Sequence, residues 1–371
     1  MRPTGPAGGR TLRPDAMDAQ SAPKAAGAGP AKRPIQIALA TCDGEKYLPA
    51  LLDSLFGQTR QDFTILVGDD ASRDASVEIV EAYASRYPGR IEQLAGEGPR
   101  RGVIANFDRL LASATADYVF LCDHDDVWLS NKIELSLAAM QALEAQHDAG
   151  TPLLVHTDLV VVGPDLEVLS DSFFEYSSID PGRNDVVQLL LANVVSGCTA
   201  LINRALYLRA RPIPAEAMMY DHWLALVAAT TGAITYVDTP TILYRQHGRN
   251  VIGARQSRRR LLVQRVYGTL VSRERERVLR RYSRQAAILL ERFGTSMRGH
   301  DRLAAETLAF LWEKPRLRRF ASLRRCNLGL EGMLRNIALF VVTARASREK
   351  GRGADHRDIP KDDSRRRERR G

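Results

Sequence analysis

This chain of 371 residues lacks a long apolar run, clustered cysteines and a glycine-rich phosphate loop. No stretch approaches the ~20 consecutive apolar residues of a membrane-spanning helix, which argues against a helical span. The four cysteines lie far apart, without the spacing of a zinc site, and this favours reduced thiols in a cytosolic protein. Because Gly-x-Gly-x-x-Gly and Walker lysine motifs are absent, neither the usual dinucleotide fold nor a P-loop is predicted.

Charge is plentiful but unevenly placed. The chain carries 53 Lys and Arg against 44 Asp and Glu, a net charge of +9, which on its own would suggest a nucleic-acid partner. However, acidic residues dominate the predicted strand ends, whereas basic residues crowd the C-terminal third. A basic tail beside an acidic core fits an anionic membrane surface at least as well as a nucleic acid. We therefore predict no nucleic-acid partner.

Composition divides the chain into four predicted parts. Residues 1–33 are rich in Gly, Ala, Pro and Arg without an apolar signal-peptide core, which predicts a disordered leader. Residues 34–253 show alternating strand and helix patterns and are predicted to form an α/β domain. Residues 254–346 are basic and helical in pattern, either a solvated appendage or a platform on the inner membrane face. Residues 347–371 are predicted to be a disordered basic tail.

Three apolar runs in the first half of the chain predict buried strands: Ile35–Ala40, Phe63–Gly68 and Tyr118–Cys122. Apolar residues at helical spacing predict helices between them. Strands that alternate with helices imply right-handed crossovers and a parallel sheet covered on both faces. Downstream, separate strands are predicted at 153–156, 159–162 and 234–237.

Acidic residues follow each of these first three strands. They occur in Thr41-Cys42-Asp43-Gly44-Glu45, in Asp69-Asp70-Ala71-Ser72-Arg73-Asp74 and in Asp123-His124-Asp125-Asp126. Each segment alone has a structural explanation, as a turn, a helix N-cap or a solvated loop. Because ligands of such sheets bind beyond the carboxyl ends of the strands, three acidic segments at one edge predict a ligand site.

The third segment predicts a metal site. Three carboxylates in four residues repel one another and lose hydration as the strand end is buried, unless a cation lies among them. Asp123 and Asp125 are two residues apart, so in extended backbone both side chains project to the same side. Mg²⁺ and Mn²⁺ take such oxygen ligands, often together with substrate phosphates. The alternative is a polar loop whose aspartates cap the following helix.

These motifs together resemble glycosyltransferase family 2. The resemblance rests on Ile37–Thr41, Val67–Asp74, Leu121–Trp128, Asn193–Thr199 and Tyr244–Gly248, within a match from about Ile35 to Gly253. The most similar branch is the rhamnosyltransferase-like one of bacterial surface-polysaccharide synthesis. The resemblance implies a GT-A fold, that is, a Rossmann-like αβα sandwich with a mixed, mostly parallel sheet. It also implies a nucleotide-sugar donor, Mn²⁺ or Mg²⁺, and inversion of the anomeric centre.

The resemblance also assigns expected roles in nucleotide binding. Thr41 and Glu45 would line the nucleotide pocket. Asp70 would accept a hydrogen bond from the pyrimidine base, and Asp69 would support that loop. Asp123 would reach the ribose as well as the metal.

The remaining roles concern the metal and the chemistry. Asp123 and Asp125 would form the Asp-x-Asp pair, with Asp125 the direct metal ligand. Asp221 falls at the position of the catalytic base, although its position at a helix start also suits an N-cap. His247 falls where some GT-A enzymes add a metal or diphosphate ligand, although a histidine beside a glycine is commonly structural.

The chain departs from the family pattern at two motifs. Thr41-Cys42-Asp43-Gly44 stands where Thr-Tyr-Asn-Gly is usual, which removes an aromatic residue beside the nucleotide. Tyr220-Asp221-His222-Trp223 stands where this branch commonly has His-Asp-Trp-Trp. The aspartate is kept, so we expect the chemistry to be kept, whereas acceptor contacts near His222 stay open.

Three functions are therefore weighed. The first is a metal-dependent, inverting glycosyltransferase in the cytoplasm, peripheral to the inner membrane. It would move a sugar, with rhamnose as one candidate, from a dTDP- or UDP-linked donor to a glycan or lipid-linked acceptor. The second is a sugar nucleotidyltransferase, which would need a glycine-rich loop after the first strand. The third is a polyanion-binding protein, which would need arginines where the acidic residues stand.

Overall fold

The structure is a computed structural model that describes residues 34–96, 98–247, 273–329 and 333–345. The predicted leader (1–33), the predicted tail (347–371) and the last six residues of the predicted α/β domain (248–253) lie outside the described residues. So do the first residues of the predicted basic helical region.

Nine strands in the described residues form one mixed sheet. Its order is β3-β2-β1-β4-β8-β6-β9-β5, with β7 paired to β6. Neighbours run parallel in β3-β2-β1-β4 and in β6-β9, whereas β8 is antiparallel to both β4 and β6. The strands are β1 Ile35–Thr41, β2 Phe63–Asp69, β3 Ile91–Gln93, β4 Tyr118–Asp123, β5 Val127–Trp128, β6 Leu153–Val162, β7 Val168–Ser170, β8 Leu201–Asn203 and β9 Ala233–Arg245.

Helices cover both faces of this sheet and continue beyond it as a C-terminal group. The helices of the described residues are α1 Leu48–Phe56, α2 Ser76–Arg86, α3 Val103–Ser113, α4 Lys132–Glu144, α5 Phe173–Ser177, α6 Val186–Leu189, α7 Arg204–Ala210, α8 Tyr220–Thr231, α9 Arg273–Phe293, α10 Gly299–Ala309, α11 Arg316–Arg325 and α12 Met333–Arg345. None of the helices in these ranges combines the length and apolar character needed to cross a bilayer.

The register of the central strands brings the predicted acidic segments to one edge. β1 pairs in parallel with β2 on one side and with β4 on the other, so Thr41 lies opposite Asp69 and Ala40 opposite Asp123. These strands are buried on both faces, which agrees with their continuous apolar runs. The predicted α/β class with a mixed, mostly parallel sheet and C-terminal helices is confirmed.

Two downstream predictions are wrong in detail. Strands predicted separately at 153–156 and 159–162 are one strand, β6, and the short strand predicted at 234–237 is part of a longer strand, β9, which ends at Arg245. The polar residue Asp158 interrupts the apolar pattern, but its carboxylate accepts hydrogen bonds from the backbone of Leu159 and Phe173. The β6–β9 ladder shifts register at this point instead of ending.

The core has two main layers, one on each face of the sheet. One contains apolar residues of α1 and α4, including Leu48, Leu52 and Ile133. The other contains α3, α8 and the C-terminal helices, so that Phe107, Trp223 and Leu289 belong to one continuous apolar cluster. The predicted basic helical region is therefore packed against the sheet domain through a shared core. Its exposed surface, discussed below, is a separate matter.

Candidate functional site

Two carboxylates at the end of β2 hold the loop after that strand in place. The two oxygens of Asp70 accept hydrogen bonds from the backbone N–H groups of Arg101 (2.7 Å) and Gly102 (2.9 Å). Asp69 accepts from both the backbone and the hydroxyl of Ser72. The side chains predicted to hold a nucleotide base thus also fix the shape of the loop that would surround it.

Thr41 and Glu45 occupy different environments in this region. Thr41 is buried, and its hydroxyl has no hydrogen-bond partner, so it could donate to a ligand. Glu45 is exposed and accepts from the backbone of Ala75 at 3.3 Å. Gly44 lies between them against the ring of His124, where an added Cβ would come within 2.7 Å of that ring. The first loop therefore contacts the acidic segment after β4, as the register of the sheet requires.

The three aspartates at the carboxyl end of β4, Asp123, Asp125 and Asp126, face three different partners. The carboxylate of Asp123 lies 3.4 and 3.5 Å from the hydroxyl of Tyr220. Asp125 lies 2.9 Å from Nε2 of His247, so the structure brings together two of the residues predicted from the sequence, whose roles stay predictions. Asp126 accepts from the backbone of Arg245 at 3.2 Å.

Negative charge is crowded here. Burial and the carboxylates of Asp125 and Asp221 raise the pKa of Asp123 to about 8. Burial, with the charges of Asp125 and Asp123, raises the pKa of Asp126 well above its usual value. Burial also acts on Asp125, but the hydrogen bond from His247 and the charges of His124 and His247 outweigh it and hold its pKa low.

These residues fit a divalent cation. One carboxylate oxygen of the fully buried Asp126 has no hydrogen-bond partner, which leaves an uncompensated acceptor inside the acidic segment. Asp123, Asp126 and Cys198 also place one ligand atom each within 4.8 Å of one another. Hard cations prefer the carboxylates over a protonated thiol, and burial raises the pKa of Cys198 further. A cation among the carboxylates would relieve the repulsion that raises the pKa of Asp123.

Asp221 lies at the start of α8 and faces the same site. One of its oxygens accepts from the backbone of Gly197 at 3.0 Å and the other from the backbone of His222 at 2.6 Å. Burial outweighs these two hydrogen bonds and raises the pKa of Asp221 to about 7. A carboxylate with this pKa can both accept and release a proton near neutral pH.

Tyr220 connects the aspartate of α8 to the acidic segment, a role that the sequence did not reveal. Its ring stacks on Phe107 with centroids 3.7 Å apart, and its hydroxyl reaches Asp123. An added Cβ on Gly197 would come within 2.2 Å of that hydroxyl, so the residue beneath Tyr220 has to be glycine. The departure of this motif from His-Asp-Trp-Trp provided the signal: a tyrosine replaces the histidine.

His222 and Trp223, the other two residues of the motif, are buried away from the acidic segment. His222 lies 2.6 Å from the carbonyl oxygen of Leu189, and burial lowers its pKa to about 4, so it is neutral at pH 7. Trp223 donates to the carbonyl oxygen of Ala210 at 2.8 Å. Both side chains therefore stabilise the N-terminal end of α8.

Lys132 is a second residue that sequence reasoning missed. It is fully buried, its ammonium group donates to the carbonyl oxygen of Thr199 at 3.3 Å, and it lies 4.7 Å from the centroid of Trp128. Burial lowers its pKa to about 8, and the charges of Cys198, Cys122 and Asp126 oppose that shift. The signal in the sequence was weak: a lysine at the start of a predicted helix, beside apolar residues.

Comparison with known proteins gives the class. Residues 36–209 match the family described as "Glycosyl transferase family 2". The chain is 26% identical to the dTDP-rhamnosyl transferase RfbG of Shigella flexneri, over 58% of this chain and 74% of that protein. It is 27% identical to the uncharacterized protein Rv1520 of Mycobacterium tuberculosis, over 85% of this chain and 92% of that protein.

A solved structure of S. aureus TarS in complex with UDP-GlcNAc is similar with a TM-score of 0.46 at 16% identity, covering 84% of this chain and 90% of that one. The chain therefore contains a segment of the glycosyltransferase family 2 type, set in a mixed α/β sheet, and the protein is a glycosyltransferase. The predicted enzyme class is thereby confirmed over the nucleotidyltransferase and polyanion-binding alternatives.

Proposed function

We propose that the protein transfers a sugar from a dTDP- or UDP-linked donor to a glycan or lipid-linked acceptor, with inversion at the anomeric carbon. Rhamnose is the proposed sugar, because a named relative is a dTDP-rhamnosyl transferase. One observation carries the proposal. Tyr220 reaches Asp123, and the adjacent residue Asp221 is a buried carboxylate with a pKa near neutrality. A proton acceptor and the acidic segment therefore belong to a single site.

In this proposal the loops after β1 and β2 hold the nucleotide. The unpaired hydroxyl of Thr41 donates to it, and Asp70 accepts from the base while still anchored to the backbone of Gly102. A carboxylate oxygen has more than one acceptor site, so both contacts are compatible. Asp69 supports the loop, and the exposed Glu45 lies at the outer margin of the pocket.

Asp123 and Asp125 would hold Mn²⁺ or Mg²⁺, with His247 as a further ligand or as the group that orients Asp125. When bound, the cation would act as a Lewis acid on the leaving nucleoside diphosphate. The hydrogen bond between His247 and Asp125 fixes the direction of that carboxylate, as partners of metal ligands commonly do.

Asp221 acts as the general base of the transfer. The acceptor hydroxyl loses its proton to the Asp221 carboxylate while its oxygen attacks the anomeric carbon from the side opposite the diphosphate. The backbone N–H of Gly197 holds one carboxylate oxygen in place, and each oxygen keeps an acceptor site for the incoming proton. A single displacement of this kind inverts the configuration and needs only one base.

The proposed domain division follows from these roles. Residues 34–253 form the catalytic domain, and residues 254–346 form a basic helical appendage. The proposed setting is the cytoplasm, where the appendage makes peripheral contact with the inner membrane face during cell-surface polysaccharide synthesis. Charge supports this setting, because the appendage is strongly basic.

Calorimetric binding of UDP and dTDP, with and without Mn²⁺, tests the nucleotide and metal roles. We expect metal-dependent binding to the wild type that Asp125→Ala abolishes, and the preferred nucleotide identifies the donor. Asp165→Ala is the matched control, since Asp165 is exposed in a turn and lies outside the acidic segment. If a folded wild-type sample binds neither nucleotide, the proposed donor class is wrong.

A further inference from the structure

Exposed apolar side chains are concentrated in the C-terminal helices. Among the described residues, seven large apolar side chains are prominently exposed, and only Leu169 and Leu208 belong to the catalytic domain. Leu317, at the first turn of α11, is 93% exposed, more than any of the others. The remaining four are Val278, Leu303, Phe310 and Phe340. Exposed apolar side chains mark an interaction surface where they are contiguous.

Two of these residues belong to a continuous face. Leu317, Phe320, Ala321 and Arg324 follow one another at helical spacing along the outward side of α11. The ring of Phe320 packs edge-on against the ring of Phe340 of α12, with centroids 5.1 Å apart. This apolar strip, from Leu317 through Phe320 to Phe340, is called the α11–α12 face below.

Positive charge borders the α11–α12 face. Neither α11 nor α12 contains an acidic residue. Four arginines of α11 are exposed around the strip: Arg316, Arg318, Arg324 and Arg325. A helix with an apolar stripe and arginines beside it is the pattern of elements that lie in the interface of a bilayer.

The α11–α12 face is held rigid from behind. Arg319 is buried, and its guanidinium donates to the carbonyl oxygens of Lys314, Trp312 and Thr343. Because Thr343 belongs to α12, this one side chain fixes α11 relative to α12. A preorganised face binds without first having to order its own helices.

We propose that the α11–α12 face binds an anionic bilayer, with Leu317 and Phe340 entering the boundary between headgroups and acyl chains; this inference rests on the peripheral membrane contact of the proposed function and assigns it to one face. The arginines around the strip would meet the lipid phosphates. A nucleic acid would use the arginines but has no apolar region to receive Leu317. A symmetric contact between two copies of this face would place four arginines against four others, which opposes association. Charge complementarity therefore favours an anionic lipid surface.

Flotation of the full chain with vesicles tests this proposal without any assay of sugar transfer. We expect binding to vesicles that contain phosphatidylglycerol and much weaker binding to pure phosphatidylcholine. Replacing the four exposed arginines by glutamine should weaken binding at least about 100-fold, because each basic residue contributes roughly fivefold at an anionic surface. Raising the salt from about 0.15 M to about 1 M should have a similar effect.

The apolar contribution is tested by Leu317→Gln against the matched control Leu208→Gln, since Leu208 is 53% exposed on the catalytic domain. We expect Leu317→Gln to weaken vesicle binding about tenfold and the control to have no effect. Both residues are exposed, so the melting temperature should not change. Equal binding to both lipids, or equal effects of the two substitutions, would overturn the proposal. A change in elution volume on Leu317→Gln without lipid, with vesicle binding retained, would assign the face to self-association instead.

Discussion

The catalytic domain and the C-terminal helices have opposite charge. Residues 34–247 carry 14 Lys and Arg against 29 Asp and Glu, a net charge of −15. Residues 273–345 carry 17 against 7, a net charge of +10. The overall value of +9 therefore describes neither region. In the proposed function, the acidic domain would bind the donor together with a cation, and the basic helices would contact an anionic surface.

The two regions also use their charged side chains differently. In the catalytic domain, carboxylates accept from backbone N–H groups and so shape the site loops, as Asp70 and Asp221 do. In the helices, guanidinium groups donate to carbonyl oxygens across the junction, as Arg281 does to Ala217 and Arg292 does to Pro212. In addition to the shared apolar core, polar contacts thus join the two regions through the backbone of the segment before α8.

The largest expected effect tests whether the chemistry belongs to the acidic region alone. Asp221→Asn should lower kcat by about 10²–10⁴-fold, the usual contribution of a general base. Calorimetric donor binding should be unchanged, because the amide oxygen can still accept from Gly197 and only the hydrogen bond from the backbone of His222 is lost. Asp185→Asn is the control, since Asp185 also lies at a helix start, where it accepts from Gln188. A retained kcat in Asp221→Asn would exclude Asp221 as the base.

The second prediction concerns the junction. Arg292 donates to the carbonyl oxygens of four successive residues, 209–212, and lies over the Trp223 ring. Arg292→Ala should lower the free energy of unfolding by about 2–3 kcal/mol, measured by urea denaturation.

Arg302→Ala is the matched control for the junction, because its exposed pair with Glu306 is worth only about 0.3–0.5 kcal/mol. If the two substitutions cost the same, the helices are not held to the catalytic domain in the way that the structure indicates.

The third prediction is a pH profile. Since burial raises the pKa of Asp221 to about 7, the base is protonated and inactive at lower pH. At saturating donor and metal, kcat should fall about tenfold per pH unit below that value and level off above it. The pH dependence of the folding stability has the opposite sign. Because the carboxyl pKa is raised in the folded state, Asp221 stabilises that state at low pH, and this contribution is lost as the pH rises through about 7. A kcat that is flat from pH 5 to 8 would contradict this assignment.

The smallest expected effect tests the contact of Tyr220 with Asp123. Tyr220→Phe should weaken binding of the metal–nucleotide complex by about tenfold or less, because it removes a partner that orients a metal ligand. Tyr207→Phe also removes a buried hydroxyl, one that donates to the carbonyl oxygen of Ala116, and should leave this affinity unchanged. Similar losses in both variants would indicate a general packing defect.

The central strands and the acidic edge could be predicted because both depend on local pattern. A continuous apolar run followed by carboxylates predicts a buried strand and what stands at its end, and β1, β2 and β4 meet as predicted. The length of β6 could not be predicted in the same way. The polar residue Asp158 resembles a break in the pattern, and only the backbone groups of Leu159 and Phe173 make it tolerable inside the sheet.

The site itself depends on pairs that are distant in sequence. Tyr220 meets Asp123 across 97 residues, and His247 meets Asp125 across 122. No local periodicity encodes such pairs, and the family resemblance supplied individual residues but not the contacts between them. The docking of α9 was harder still, because a guanidinium that binds carbonyl oxygens leaves no complementary side chain to find in the sequence.

The junction formed by Arg292 has a consequence for how this protein can be divided. The family match ends at Arg209, within α7, whereas Asp221 lies on the next helix and the segment before it is held by α9. The stretch that this family model covers is therefore shorter than the stretch that packs together, and the 344-residue match to Rv1520, over 85% of this chain, extends beyond it. A gene shortened to residues 36–209 would encode the acidic edge but neither Asp221 nor the helix that covers Trp223. The limits of a family match are therefore a poor guide to where this protein can be cut.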